Sequence, residues 1–148
     1  QWWGLANMFD PAADESGLWS AEGLTVYTTY RIVKELYGAE YAQKHYVDQW
    51  KQAVEDYYLN YYVRNPEYLS VLPAKEQGEI AGSLSQVRQY SEMPLKILKA
   101  ESLVGGEEAM DRILYELFNR ELDYAYPYLT YQEFLDGCNL TEEDLNLA

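Results

Sequence analysis

The sequence predicts an all-α protein. Apolar residues recur at three- and four-residue spacing along most of the chain, and no stretch of useful length alternates apolar with polar residues as a half-buried strand would. Glycines stand where periodic segments stop, at Gly38 and at Gly105-Gly106. Thr130 with Glu133 has the pattern of a capping box. With 148 residues, 48% of them hydrophobic, the chain is long enough for one core and too apolar for disorder. No repeat, low-complexity tract or linker divides it, so residues 1–148 read as a single helical domain.

Gln1 to Met8 reads as the end of a helix that begins upstream. A first full helix is expected from Leu18 to Tyr37, with Leu24, Tyr27, Ile32, Val33 and Leu36 near helical spacing and Gly38 as its stop. A second should run from Ala39 to Tyr62 and end before Pro66, which disfavours helix at Asn65. Pro66 to Gly82 holds two prolines and two glycines and reads as a loop with one short helical turn. A third helix is expected from Ser91, as N-cap, to Val104, with Pro94 tolerated in its first turn. A fourth runs from Glu107 to about Arg120 and buries Met110, Ile113, Leu114, Leu117 and Phe118. Tyr124 to Leu129 is a connector, a short helix follows Thr130, and Thr141 with Asp144 marks another helix start.

Charge and composition exclude some functions. The formal net charge of -14 leaves too little Lys and Arg to neutralise phosphates, so no nucleic-acid partner is expected. That charge keeps a domain soluble and is compatible with a cationic or amine-bearing ligand. No run of apolar residues approaches the roughly 20 needed to span a bilayer. The single Cys138 forms no intrachain disulfide and reads as a buried, inert thiol. The one histidine, His45, reads as solvated. Trp2, Trp3, Trp19 and Trp50 read as packing anchors, and Glu142-Glu143-Asp144 as an acidic first helical turn. Two residues stand out chemically. Glu22 lies early in an apolar helix, where a carboxylate faces solvent, complements the helix N-terminus or ligates a metal. Tyr90 precedes the third helix, as a core-edge tyrosine or a hydrogen-bond donor in a cleft.

The motifs Gln1-Trp2-Trp3-Gly4, Trp19-Ser20-Ala21-Glu22-Gly23-Leu24-Thr25-Val26-Tyr27, Tyr90, Gly106-Glu107-Glu108 and Thr130-Tyr131-Gln132-Glu133-Phe134-Leu135 occur in an order that resembles the gluzincin metallopeptidases of the M1 aminopeptidase type. In that family Gln-Trp-aromatic-Gly directly follows the zinc-binding HExxH. The resemblance implies a piece of a peptidase cut just after HExxH: the helical C-terminal subdomain of a thermolysin-like catalytic domain. It implies Glu22 as the third zinc ligand and Tyr90 as the donor that stabilises the oxyanion, with both His ligands and the general base upstream of Gln1. The loop around Asn7 to Gly17 is longer than the family's, and Ser91-Glu92-Met93 stands where the family has x-Lys-Gly after the tyrosine.

These implications set the expectations. The parent is a zinc metallopeptidase acting on peptide substrates, with Zn²⁺ in the intact protein. The chain alone holds no catalytic zinc and is inactive, since one carboxylate replaces three ligands poorly. The tyrosine- and acid-rich character suggests a bacterial branch whose peptidase domain is attached to membrane segments, at a membrane or outside the cytoplasm. Apolar surface left uncovered favours a homodimer. The rival expectation is a non-catalytic helical interaction module or a degenerate peptidase domain.

Overall fold

Apolar stripes at helical spacing have to be covered by other helices, and that requirement sets the architecture. The computed structural model describes residues 18–121 and 130–147, and among them every regular element is helical. The chain enters through a π-helical turn, Leu18–Gly23, and continues into α1, Leu24–Tyr37. Gly38 ends α1 at φ 93° and ψ 161°, a conformation essentially reserved for glycine. A helix then runs through α2 (Ala39–Ala42), a second π turn (Gln43–Val47) and α3 (Asp48–Leu59).

The expected continuation to Tyr62 does not form. Asn60 leaves the helical conformation, and its side-chain oxygen accepts from the Tyr62 N–H at 2.9 Å and the Val63 N–H at 3.4 Å. An asparagine that caps well starts a separate short helix, α4 (Tyr61–Arg64), inside an apolar run. Asn65, ahead of Pro66, is non-helical as expected, and α5 (Pro66–Leu69) follows.

The 66–82 stretch is more helical than its prolines and glycines suggest. After α5 and a turn comes α6, Ala74–Val87, with Gly78 and Gly82 in its interior. Each interior glycine costs about 1 kcal/mol relative to alanine, which tertiary packing readily overrides. Here Ile80, Leu84 and Val87 are half-buried along one face.

Ser91 is not an N-cap. Helix α6 runs without a break through a third π turn (Arg88–Glu92) into α7, Met93–Val104. Pro94 accounts for the wide turn. In an α-helix residue 94 would donate to the Tyr90 carbonyl, but proline has no N–H and its ring crowds that oxygen. The turn opens instead, and the Met93 N–H reaches the Arg88 carbonyl.

The remaining stops follow the glycines and caps. Gly105 adopts φ 111° and ψ 8°, and the Gly106 N–H returns to the Glu101 carbonyl at 2.8 Å. Helix α8 spans Glu107–Phe118, with Met110 fully buried and Ile113, Leu114, Leu117 and Phe118 partly so. Helix α9, Tyr131–Cys138, has the expected capping box, with Glu133 N–H on Thr130 Oγ1 at 3.1 Å and Thr130 N–H on Glu133 Oε1 at 3.2 Å. Thr141 and Asp144 bond reciprocally, yet the helix they start is a single 3₁₀ turn, Glu143–Leu145.

Helix α7 is the centre of the fold and packs against α1, α3, α8 and the 3₁₀ turn. Its Met93, Pro94, Leu95, Ile97 and Ala100 are buried. Trp19, Leu24, Tyr27, Met110, Phe134 and Leu145 complete the core, each stabilising the fold by roughly 1.5–3 kcal/mol through burial. Trp19 stacks on Phe134 with ring centroids 4.6 Å apart. Trp19 and Trp50 are thus packing anchors, whereas Gln1 to Met8, with Trp2 and Trp3, and Tyr124 to Leu129 lie outside the described residues.

Candidate functional site

Two of the three π turns pack against each other, and each carries one of the residues singled out from the sequence. Glu22 lies on the Leu18–Gly23 turn, held down by the buried Trp19 indole and the buried Gly23 backbone. Tyr90 lies at the middle of the Arg88–Glu92 turn. The packing brings the Tyr90 phenol within reach of the Glu22 charge. Glu22 is half-buried and Tyr90 is 41% exposed, so the pair sits at a surface edge rather than in the core. The phenol is held above its ordinary pKa, first by partial burial, then by the Glu22 charge. It is therefore a protonated donor at neutral pH, beside a carboxylate with an oxygen to offer a cation.

Among the described residues no group of three or more His, Cys, Asp and Glu is placed to hold a metal ion. Glu22 offers the oxygen donor that zinc accepts alongside imidazoles. A single carboxylate of this kind fills one position of such a site. His45 is exposed and stacks on Tyr41 at 4.1 Å between centroids, consistent with a solvated histidine. Cys138 is buried, and burial pushes its thiol up to about 11, which agrees with an inert side chain.

Sequence reading missed two polar networks. In the first, the Tyr27 hydroxyl donates to buried Glu101 at 2.6 Å and accepts from Arg31 at 2.9 Å, while Arg31 forks onto Asp111 through two 3.0 Å bonds. Lys34 pairs with Glu107 at 2.6 Å beside it. This network borders a cavity of about 450 Å³ between α1 and α8. Arg31 and Lys34 are already paired, so the network ties α1 to α7 and α8. The second network surrounds Glu92, just beyond Tyr90. Arg88, Glu92 and Lys96 repeat at four-residue spacing, which was the available signal. Glu142 also departs from its expected role in an acidic helix start: it accepts from Lys96 and from the Tyr131 hydroxyl.

Among the described residues no helix is long and apolar enough to cross a membrane. No protein-family model, curated protein or solved structure matches this chain.

Proposed function

We propose that this chain forms the helical wall of a zinc-peptidase cleft of the M1 type, delivering Glu22 as a zinc ligand and Tyr90 as the oxyanion donor. One observation carries the reading. Glu22 and Tyr90 stand far apart in sequence, and two packed π turns bring the phenol within reach of the Glu22 charge.

The roles follow from the side chains. Glu22 supplies one oxygen ligand and a negative charge. Two imidazoles and the general base come from an HExxH segment preceding Gln1. When bound, zinc polarises the scissile carbonyl and lowers the pKa of its water. Tyr90, kept protonated by burial and by Glu22, presents its O–H to the oxygen on which negative charge develops. The substrate is a peptide, and the chain by itself is inactive.

The test uses the protein that carries the HExxH segment. Tyr90→Phe should lower kcat about 10²–10³-fold with KM little changed. A loss of less than about threefold sinks that role. Glu22→Ala should strip zinc, and stoichiometric zinc retained after dialysis rules it out as a ligand. The second reading, a non-catalytic interaction module or degenerate peptidase domain, draws on exposed Ile32, Leu36, Tyr37 and Tyr41 around the α1–α2 junction. Lack of His-Glu-x-x-His before Gln1 in the parent selects it.

A further inference from the structure

Tyr90 stands on a turn that its own backbone defines weakly. Pro94 removes one helical hydrogen bond, and the wide turn that results has poorer bonding than an α turn. Something else has to hold the turn if the phenol is to meet Glu22.

Glu92 closes this turn and is only 7% exposed. Both of its carboxylate oxygens are engaged. Oε1 accepts from the Tyr58 hydroxyl at 3.2 Å, and Oε2 accepts from Arg88 Nε at 3.2 Å. Lys96 Nζ lies 3.9 Å from Oε1. The partners come from α3, from the opening of the turn itself and from α7, so one buried carboxylate ties the turn to itself and to its two neighbours. Burying a charge is costly, and such an ion cluster contributes little net stability compared with apolar packing. What it does supply is a set of ties between the turn that carries Tyr90 and the helices on either side of it.

We propose that Glu92 is a positioning residue that aims Tyr90 at Glu22, with Tyr58 as its anchor on α3. The catalytic consequence rests on the peptidase reading above, whereas the aiming of the phenol does not. Two readouts in the full protein separate them: steady-state kinetics on peptides, and the ¹³Cζ resonance of Tyr90 assigned by comparison with Tyr90→Phe.

Glu92→Ala should lower kcat about 10–100-fold, the scale of a misplaced catalytic group, with KM changed less than about twofold. Glu92→Gln keeps an oxygen for Tyr58 and should restore kcat to within about threefold of the wild type. Added to Tyr90→Phe, Glu92→Ala should cost nothing further, because its effect runs through the phenol. The Tyr90 resonance should move in Glu92→Ala to its position in Glu22→Ala, and stay near wild type in Glu92→Gln. Tyr58→Phe, at a more exposed position, should move the resonance the same way by less.

A Tyr90 resonance unmoved in a folded Glu92→Ala protein overturns the proposal. So does a kcat loss that persists in the Tyr90→Phe background. If the protein cleaves no peptide while the resonance moves as described, the peptidase reading fails and the positioning role stands.

Discussion

The Tyr27–Glu101–Arg31 network allows a stability prediction worked from distances. Tyr27 is 1% exposed, and its hydroxyl joins α1 to the buried Glu101 of α7 at 2.6 Å. Tyr27→Phe keeps the ring in the core and removes that hydroxyl. Two bonds are lost, one of them to an ionised acceptor, and among these contacts Glu101 keeps the Arg31 guanidinium at 3.7 Å. A hydrogen bond to a charged group contributes about 1.5–3 kcal/mol, so the variant should unfold with about 2 kcal/mol less free energy. At about 2–4 °C per kcal/mol for a domain near this size, Tm should fall by about 4–8 °C. Urea titration followed by circular dichroism measures both midpoint and slope. The paired change with Glu101→Gln should cost less than the sum of the single changes by about 1 kcal/mol. A loss below about 0.5 kcal/mol, or full additivity, would show that the hydroxyl is not the tie between the helices.

Further predictions use other parts of the fold. Gly105→Ala should cost about 1 kcal/mol or more, from the backbone alone, since a Cβ there meets no atom within 4 Å but φ is 111°. The same substitution at Gly78 or Gly82, inside α6 and equally uncrowded, should stabilise by about 0.5–1 kcal/mol, as thermal melts will show. Cys138 has its thiol raised from 9.0 to about 11 by burial. Alkylation at pH 8 should therefore run about 100-fold slower in the folded than in the unfolded chain, from thiolate population alone. Because folding raises this pKa, the neutral thiol's contribution is intact below pH 9.0 and fades as pH rises towards about 11. Ile32, Leu36, Tyr37 and Tyr41 leave an exposed apolar surface, so light scattering should show concentration-dependent dimers, and a monomer at high concentration counts against this.

Helical character was legible in the three-to-four spacing, and the stops at Gly38 and Gly105-Gly106 were legible because positive φ leaves few alternatives to glycine. The Thr130–Glu133 box was legible for a similar reason: two side chains at fixed spacing satisfy two backbone donors. Helix α6 was hidden because Gly78, Gly82 and Pro73 argue locally against helix, and only packing overrides them. The break at Asn60 was hidden inside an apolar run that periodicity carried through. Ser91 looks like an N-cap because Pro94 suits a helix's first turn, but a proline in mid-helix is equally absorbed by a wide turn. At the site, the chemistry of Glu22 and Tyr90 taken singly left several readings each, and only the family resemblance placed them in one centre. Their meeting depends on two turns whose packing no local pattern encodes. The Glu92 cluster left a trace in its four-residue spacing, but Tyr58 and Glu142 reach its members from other elements.

The wide turn at Arg88–Glu92 makes the site sensitive to residue count. Such a turn holds one residue more than an α turn, and each residue rotates the helix by about 100°. Substitution at Gln89 or Ser91 leaves that phase unchanged. Deletion of either one would close the turn, set Pro94 against a carbonyl it cannot bond, and rotate α6 against α7 by about that angle. Both helices could survive the deletion, each with its own stripe intact, while the phenol and the carboxylate face different ways. A single-residue gap, harmless in most surface turns, would here be the most economical way to separate Glu22 from Tyr90.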